Sequence, residues 1–241
     1  MTQSLKFQVG NAKLNDKVNT FSLPAGQSCP FARDCKSCVK VSASGKASIV
    51  DAPTCKFRCF AAVAEAMYPS VRAARAFNFG LLLAAESVPA MVALIEASLP
   101  KAKGRKATRV HVSGDFFSQN YFDAWMTVVR NHPEQCFYAY TKSLPFWVAR
   151  LGEVPENFVL TASYGGAHDA LIVKHGLRSV RVVFTEQEAA SQGLEIDHDD
   201  SHAMKAGPSF ALLIHGVQPA GSAAAKAKAA LKGKGSYSSK K

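Results

Sequence analysis

The sequence predicts an α/β fold, a partial or open parallel β/α barrel of the TIM-like kind, preceded by a cysteine-rich loop and a group of helices. Three observations predict it. Between residues 108 and 216, short β-rich runs alternate with helical stretches of about ten residues, as in β-α units laid on a parallel sheet. The runs are almost continuously apolar, as expected when both faces of a sheet are covered. Five such runs, with one more strand expected nearer the N-terminus, make six, too few to close an eightfold barrel.

TRVHV (108–112) opens the series, and the turn Ser113, Gly114, Asp115 leads into the helical pattern FSQNYFDAWMTVVRN. CFYAYT (136–141) precedes SLPFWVARLG. NFVLTA (157–162) precedes a Gly-Gly turn and AHDALIVKHG. SVRVVF (179–184) precedes TEQEAASQG, and SFALLIHG (209–216) closes the set. The additional strand is expected near KVSAS (40–44) or within LKFQV (5–9). Three helical stretches, CFAAVAEAMY, SVRAARAFNFGLLLAAE and PAMVALIEASL, fill the interval before Val110.

Length and composition allow one α/β domain over 1–218, with the cysteine-rich loop at 22–60 and the β/α units at 107–216. Residues 219–241 carry six of the lysines, no acid and little apolar bulk. This reads as a basic disordered tail, partly helical at most, able to touch nucleic acid weakly and without specificity. The most apolar stretch is broken by Glu86, Pro89 and Glu96, which argues for two soluble helices and against a membrane span. The N-terminus has no apolar core of a secretory signal, so a cytoplasmic, reducing setting is expected.

In that setting clustered cysteines are metal ligands or redox groups more often than disulfides. Five of the six cysteines lie between 29 and 59. Cys29 and Cys35 are spaced C-x5-C, Cys38 follows at C-x2-C, and Cys55 and Cys59 are spaced C-x3-C. Zinc prefers two C-x2-C knuckles. An iron–sulfur cluster accepts three or four thiolates from looser spacings, and three leave one iron open to a small-molecule ligand. Arg33, Lys36, Lys40, Lys56 and Arg58 would offset the negative charge of such a cluster. Cys136 opens an apolar strand and reads as a structural thiol.

Chemistry in a parallel α/β sheet gathers beyond the C-terminal strand ends. Here those ends carry Ser113, Gly114, Asp115, Thr141, Lys142, Ser163, Tyr164, Gly165, Thr185, Glu186 and His215. Asp115, Lys142 and Tyr164 are the candidates for acid–base work or substrate binding, with Ser113, Gly114 and Thr141 beside them. Asp115 and Ser118 also suit helix N-caps, and Thr185 with Glu188 suits a capping box. In IDHDDSHAM (196–204), His198 and His202 share one face if the stretch is helical, an arrangement suited to a second metal or to polar contacts near a cofactor. His111, inside a strand, reads as a core histidine.

NAKL, FSLPAGQSCPFARDC, FRCFAAVAEAMYPSVR, RVHVSGDFFSQNYFDAW, FYAYTKSLPFWV, DHDDSHAM and FALLIHGVQPAGSAAAKA together resemble the gene product 88 family of bacteriophages and bacterial genomes. The resemblance runs from about Asn11 to Ala227. It implies Cys29, Cys35 and Cys59 as ligands, with Cys38 the first choice for a fourth and an open iron facing the strand ends as the alternative, and Phe31 stands where the family usually has Gly. It also implies a viral protein working in the cytoplasm of a bacterial host. A cysteine loop ahead of β/α units more distantly resembles radical S-adenosylmethionine proteins, whose C-x3-C-x2-C loop holds a [4Fe-4S] cluster. That likeness implies a [4Fe-4S] cluster and S-adenosylmethionine as cofactors. Two other readings stay open: a zinc-stabilised basic nucleic-acid-binding protein, and a redox relay or sensor without catalysis.

Overall fold

The computed structural model describes residues 3–10, 14, 18–101, 104 and 107–231. In chain order the elements are β1 (Gln8–Val9), β2 (Val18–Ser22), β3 (Ser37–Val41), β4 (Ala47–Asp51), α1 (Phe60–Met67), α2 (Pro69–Ala84), α3 (Val88–Ser98), β5 (Ala107–Ser113) and α4 (Gln119–Asn131). There follow β6 (Phe137–Thr141), α5 (Leu144–Val148), β7 (Phe158–Ser163), α6 (Ala170–Lys174), β8 (Ser179–Val183), α7 (Glu186–Ser191), β9 (Glu195–Ile196), β10 (Phe210–Leu213) and α8 (Ala223–Ala230). None of the described helices is long and apolar enough to cross a membrane.

The result is a mixed α/β protein built on a mostly parallel eight-stranded sheet, in the order β1-β2-β5-β6-β7-β8-β10-β9. Only β1 runs antiparallel, against β2. The five expected strands appear as β5, β6, β7, β8 and β10. The sixth is β2, VNTFS, rather than KVSAS or most of LKFQV. KVSAS overlaps β3, which pairs with β4 in a separate antiparallel hairpin, and LKFQV contributes just the two-residue β1. The sequence hides β2 because Asn19 and Thr20 interrupt its apolar pattern, yet both are buried.

One face of the sheet packs on helices. Phe21, Val110, Phe137, Ala139, Phe158 and Leu160 meet Leu82, Met91, Ile95, Trp125 and Val129 in the main core. The opposite face carries Tyr138, Val180, Phe210 and Leu212, with Ala203 and Met204 packed against it. Asp200, fully buried, anchors that covering segment: its carboxylate accepts from Arg109 Nη1 at 2.6 Å, Tyr138 Oη at 3.0 Å and Tyr140 Oη at 3.3 Å. Asp200 takes a left-handed backbone (φ 64°), a conformation Asp tolerates better than most residues.

The pairing of β2 with β5 shifts register between Thr20 and Ser22, and His111 lies in that irregular stretch with φ 68°. Its ring lies among Phe21, Phe116 and Tyr121, and Nε2 is 3.0 Å from Tyr121 Oη. Burial, helped by Arg109, lowers its pKa from 6.5 to about 3. A histidine buried neutral binds fewer protons folded than unfolded between those values, so it raises stability as pH rises through that window. Its contribution is fully present above 6.5 and lost as pH falls toward 3. Its slope reaches about 1.4 kcal/mol per pH unit. Urea midpoints of His111→Phe measured at several pH values are expected to lose that slope; an unchanged slope would show that His111 does not carry it.

The basic tail expected from 219 begins with a helix, α8, capped by Ser222 Oγ accepting from Ala225 N at 3.1 Å. Residues 232–241 and most of NAKL lie outside the described residues.

Candidate functional site

Because β2 is parallel to β5, the chain leaves β2 at the same edge from which the loops after β5, β6, β7 and β10 emerge. The cysteine loop therefore lands over the C-terminal strand ends. Backbone bonds fix it there: Leu23 N donates to Ser113 O, Arg33 N and Asp34 N to Gly165 O, and Ala167 N to Phe31 O. Two glycines permit the contact. A Cβ on Gly114 (φ 85°) would fall 2.5 Å from Ser28 Oγ and 2.6 Å from Leu23 Cβ, and one on Gly165 (φ 91°) 2.9 Å from Asp34 Cβ.

The second thiol segment is held from the far end of the chain. Gln218 Oε1 accepts from Arg58 N at 2.7 Å, and Gln218 Nε2 donates to Arg58 O and His215 O. Cys59 N donates to Ser37 Oγ at 3.1 Å, and Cys59 is the N-cap residue of α1. Glu65, on α1, ties these parts together. It accepts from Ala25 N in the cysteine loop, Arg75 Nη1 on α2 and Ser113 Oγ at the end of β5.

Between loop and strand ends lies a cleft of about 920 Å³, counting the open space at its mouth, lined by Cys29, Cys35 and Cys59. The sequence-predicted Ser113, Gly114, Asp115, Thr141 and Lys142 line it too, joined by Ser163 and His215. Cys38 does not line it; its sulfur packs against Gly26, where an added Cβ would lie 2.5 Å away. Cys55 donates to Lys36 O at 2.9 Å, and Cys136, packed in the cluster that holds Tyr138 and Met204, to Met204 O at 3.3 Å. The three cleft thiols sense one another. Burial pushes Cys29 well above its usual range, with Asp115, Cys59 and Cys35 adding to the rise. Burial, followed by Cys35, raises Cys59 to about 12, against the amides of Ala61 and Ala62 at the start of α1, which favour its thiolate.

Asp115 is buried and fully engaged. Oδ1 accepts from Phe116 N and Thr141 Oγ1, and Oδ2 from Lys142 N. Burial raises its pKa against those bonds. It fixes the loop after β6 to the loop after β5, whereas Ser118 caps α4. Thr185 caps α7 by accepting from Glu188 N. Lys142 Nζ donates to Ser163 Oγ at 2.5 Å. Tyr164 does not line the cleft; it packs against the main core with Arg181 over its ring.

His198 and His202 are not brought to the cleft either. Their segment forms bends and turns rather than a helix, because Asp197 N bonds Ala211 O and Asp200 turns left-handed. The expected i, i+4 face therefore does not exist. His198 is exposed, and His202 Nε2 sits 2.9 Å from Glu195 Oε2. Of the expected basic neighbours, Arg58 pairs with Asp51, Arg33 and Lys56 pair with Asp34, and Lys36 Nζ donates to Cys29 O. No group of three or more His, Cys, Asp or Glu side chains close enough to hold one metal ion occurs among the described residues. The apolar wall of the cleft, Val180, Val182, Leu212 and Ile214, escaped sequence reasoning; the period-2 alternation within SVRVVF and SFALLIHG was its only trace.

No solved structure matches the chain. The Gene 88 protein of Mycobacterium phage L5 is 32% identical over 141 residues, 55% of this chain and 51% of that protein. The Gene 88 protein of Mycobacterium phage D29 is 31% identical over 141 residues, 55% of this chain and 50% of that protein. The chain thus spans about half the length of these curated relatives. The gene product 88 family itself matches residues 3–233, a span that takes in the cysteine loop, every strand of the sheet and the Gln218 clamp: the chain belongs to the gene product 88 family of phage proteins.

Proposed function

We propose that Cys29, Cys35 and Cys59 hold a [4Fe-4S] cluster whose fourth iron faces the cleft, making this an iron–sulfur protein with a site for a small ligand. One observation carries the reading: three thiols from two separate segments line one cleft at the C-terminal strand ends, and the other three cysteines do not. The donor set suits a cluster better than a single ion. Zinc in a structural site takes four protein ligands, whereas three thiols line the cleft. A cubane spreads its thiolates over the corners of a larger core and takes three when one iron stays open.

Burial raises the Cys29 and Cys59 pKa values, and metal binding displaces such protons directly. The buried positions of Tyr121, Trp125 and Phe116 speak against a nucleic-acid surface, which needs aromatics on an exposed basic face.

The same reading takes the sheet as an incomplete β/α barrel. Strands β2, β5, β6, β7, β8 and β10 neighbour one another in chain order, and the cleft opens where a barrel would place its site. The radical S-adenosylmethionine likeness makes that cofactor the first ligand to test at the open iron. The reducing cytoplasm of the bacterial host is where such a cluster would be kept.

Anaerobic reconstitution with iron and sulfide is expected to give a brown protein with acid-labile sulfide. Cys29→Ala, Cys35→Ala and Cys59→Ala each lose the chromophore, and Cys38→Ala, Cys55→Ala and Cys136→Ala keep it. Stoichiometric zinc without sulfide, or a chromophore lost in Cys136→Ala, would overturn the assignment. Titration with S-adenosylmethionine under electron paramagnetic resonance then tells whether the open iron takes it.

A further inference from the structure

We infer that the cleft binds an organic carboxylate, its head on Lys142 and Ser163 and its aliphatic body against Val180, Val182, Leu212 and Ile214. The inference rests on the reading of this cleft as the functional site and names the ligand class that the site takes.

The charges in the lining are unequally matched. Arg58 has Asp51 at 2.5 Å, and Arg109 has Asp200 at 2.6 Å. Lys142 is 8% exposed, and among the described residues its Nζ has a neutral hydroxyl, Ser163 Oγ, as its hydrogen-bond partner and no carboxylate within ion-pairing distance. Asp115 feels the Lys142 charge without pairing with it directly: its two oxygens accept from Phe116 N, Thr141 Oγ1 and Lys142 N. A buried ammonium whose direct partner is a hydroxyl, with no carboxylate bonded to it, is an incomplete arrangement, since buried charges are normally paired. The missing partner is an anion, and the open mouth of the cleft supplies it from solution.

The rest of the lining narrows the class. The inner faces of β8 and β10 present branched aliphatic side chains to the same space. An apolar wall with a few convergent polar groups is the usual form of a site for an organic ligand. A phosphate would bring a second negative charge toward Asp115 and make no use of that wall. A carboxylate with a short branched chain uses both.

Calorimetric titration of the full-length protein, before and after cluster reconstitution, with isovalerate and with isovaleramide tests this. Isovalerate is expected to bind both forms, and isovaleramide neither. Lys142→Met weakens isovalerate by about tenfold or more, the worth of a charge-assisted hydrogen bond, and Lys142→Arg retains most of the affinity. Val182→Trp fills the wall and excludes isovalerate with Lys142 intact, so the inference stays testable if Lys142→Met fails to fold. Equal binding of acid and amide, no binding of isovalerate, or wild-type affinity in Lys142→Met would overturn it. Isovalerate binding confined to reconstituted protein and kept in Lys142→Met would place the anion on the iron, which refutes this inference and leaves the cluster standing. Carboxylate binding in a protein that never takes up iron would do the reverse.

Discussion

Asp200→Asn is expected to lower folding stability by about 3–5 kcal/mol, the cost of leaving a buried charge without its partner. Asp200 is fully buried and Arg109 nearly so, with 2.6 Å between them. Asparagine tolerates the left-handed backbone at this position, so the loss reports on charge rather than on strain. Tyr138 and Tyr140 donate to different carboxylate oxygens, so the one amide oxygen keeps a single tyrosine, and Arg109 loses the charge of Asp200 either way. The urea midpoint checks it at constant slope. A double replacement, Arg109→Met with Asp200→Asn, is expected to recover part of the loss, because it removes the stranded charge and keeps the left-handed backbone. A single variant as stable as wild type would mean that Arg109 has another counter-charge.

Glu65→Ala is expected to cost a similar amount, about 3–5 kcal/mol, by stranding Arg75. The two side chains are 4% and 10% exposed and 2.8 Å apart. Its consequence differs from that of Asp200, because Glu65 also accepts the Ala25 amide and the Ser113 hydroxyl. The cysteine loop therefore loses its tie to α1, and hydrogen exchange at Ala25 is expected to speed up with the fall in stability. Glu65→Gln separates the two roles, since its amide oxygen can still accept from Ala25 while Arg75 loses its carboxylate. Unchanged exchange at Ala25 in Glu65→Ala would show that the backbone bonds of Leu23, Arg33, Asp34 and Ala167 hold the loop without Glu65. Stability losses of this size are large against the 5–15 kcal/mol typical of a whole protein.

The parallel sheet was legible because strand and helix periods differ and alternate cleanly from β5 onward. The strand that decides the site's position, β2, was not, since Asn19 and Thr20 break its pattern and their burial depends on neighbours distant in sequence. Lys142, Thr141, Ser113 and Asp115 were legible as strand-end residues, and all line the cleft. Tyr164 has the same sequence credentials but turns to the core and stacks under Arg181. Spacing made Cys38 look equivalent to Cys35, because a C-x2-C loop can aim two sulfurs together; here Cys38 enters β3 and its sulfur is taken up against Gly26. His198 and His202 depended on a helix that the left-handed turn at Asp200 forbids. Local periodicity carries no information about such turns. The tie from Gln218 to Arg58 spans 160 residues and left no mark in either segment.

That last tie has a bearing on when the protein becomes competent. A ribosome delivers Cys29, Cys35 and Cys59 well before Gln218, and contacts of such long separation close late. Until translation passes Gln218, the Arg58–Cys59 backbone lacks this support, so the wall of the cleft that carries Cys59 is secured only after that residue is made. If the proposed cluster forms, ribosome-bound chains stalled ahead of Gln218 should accordingly take up less iron than chains carried past it.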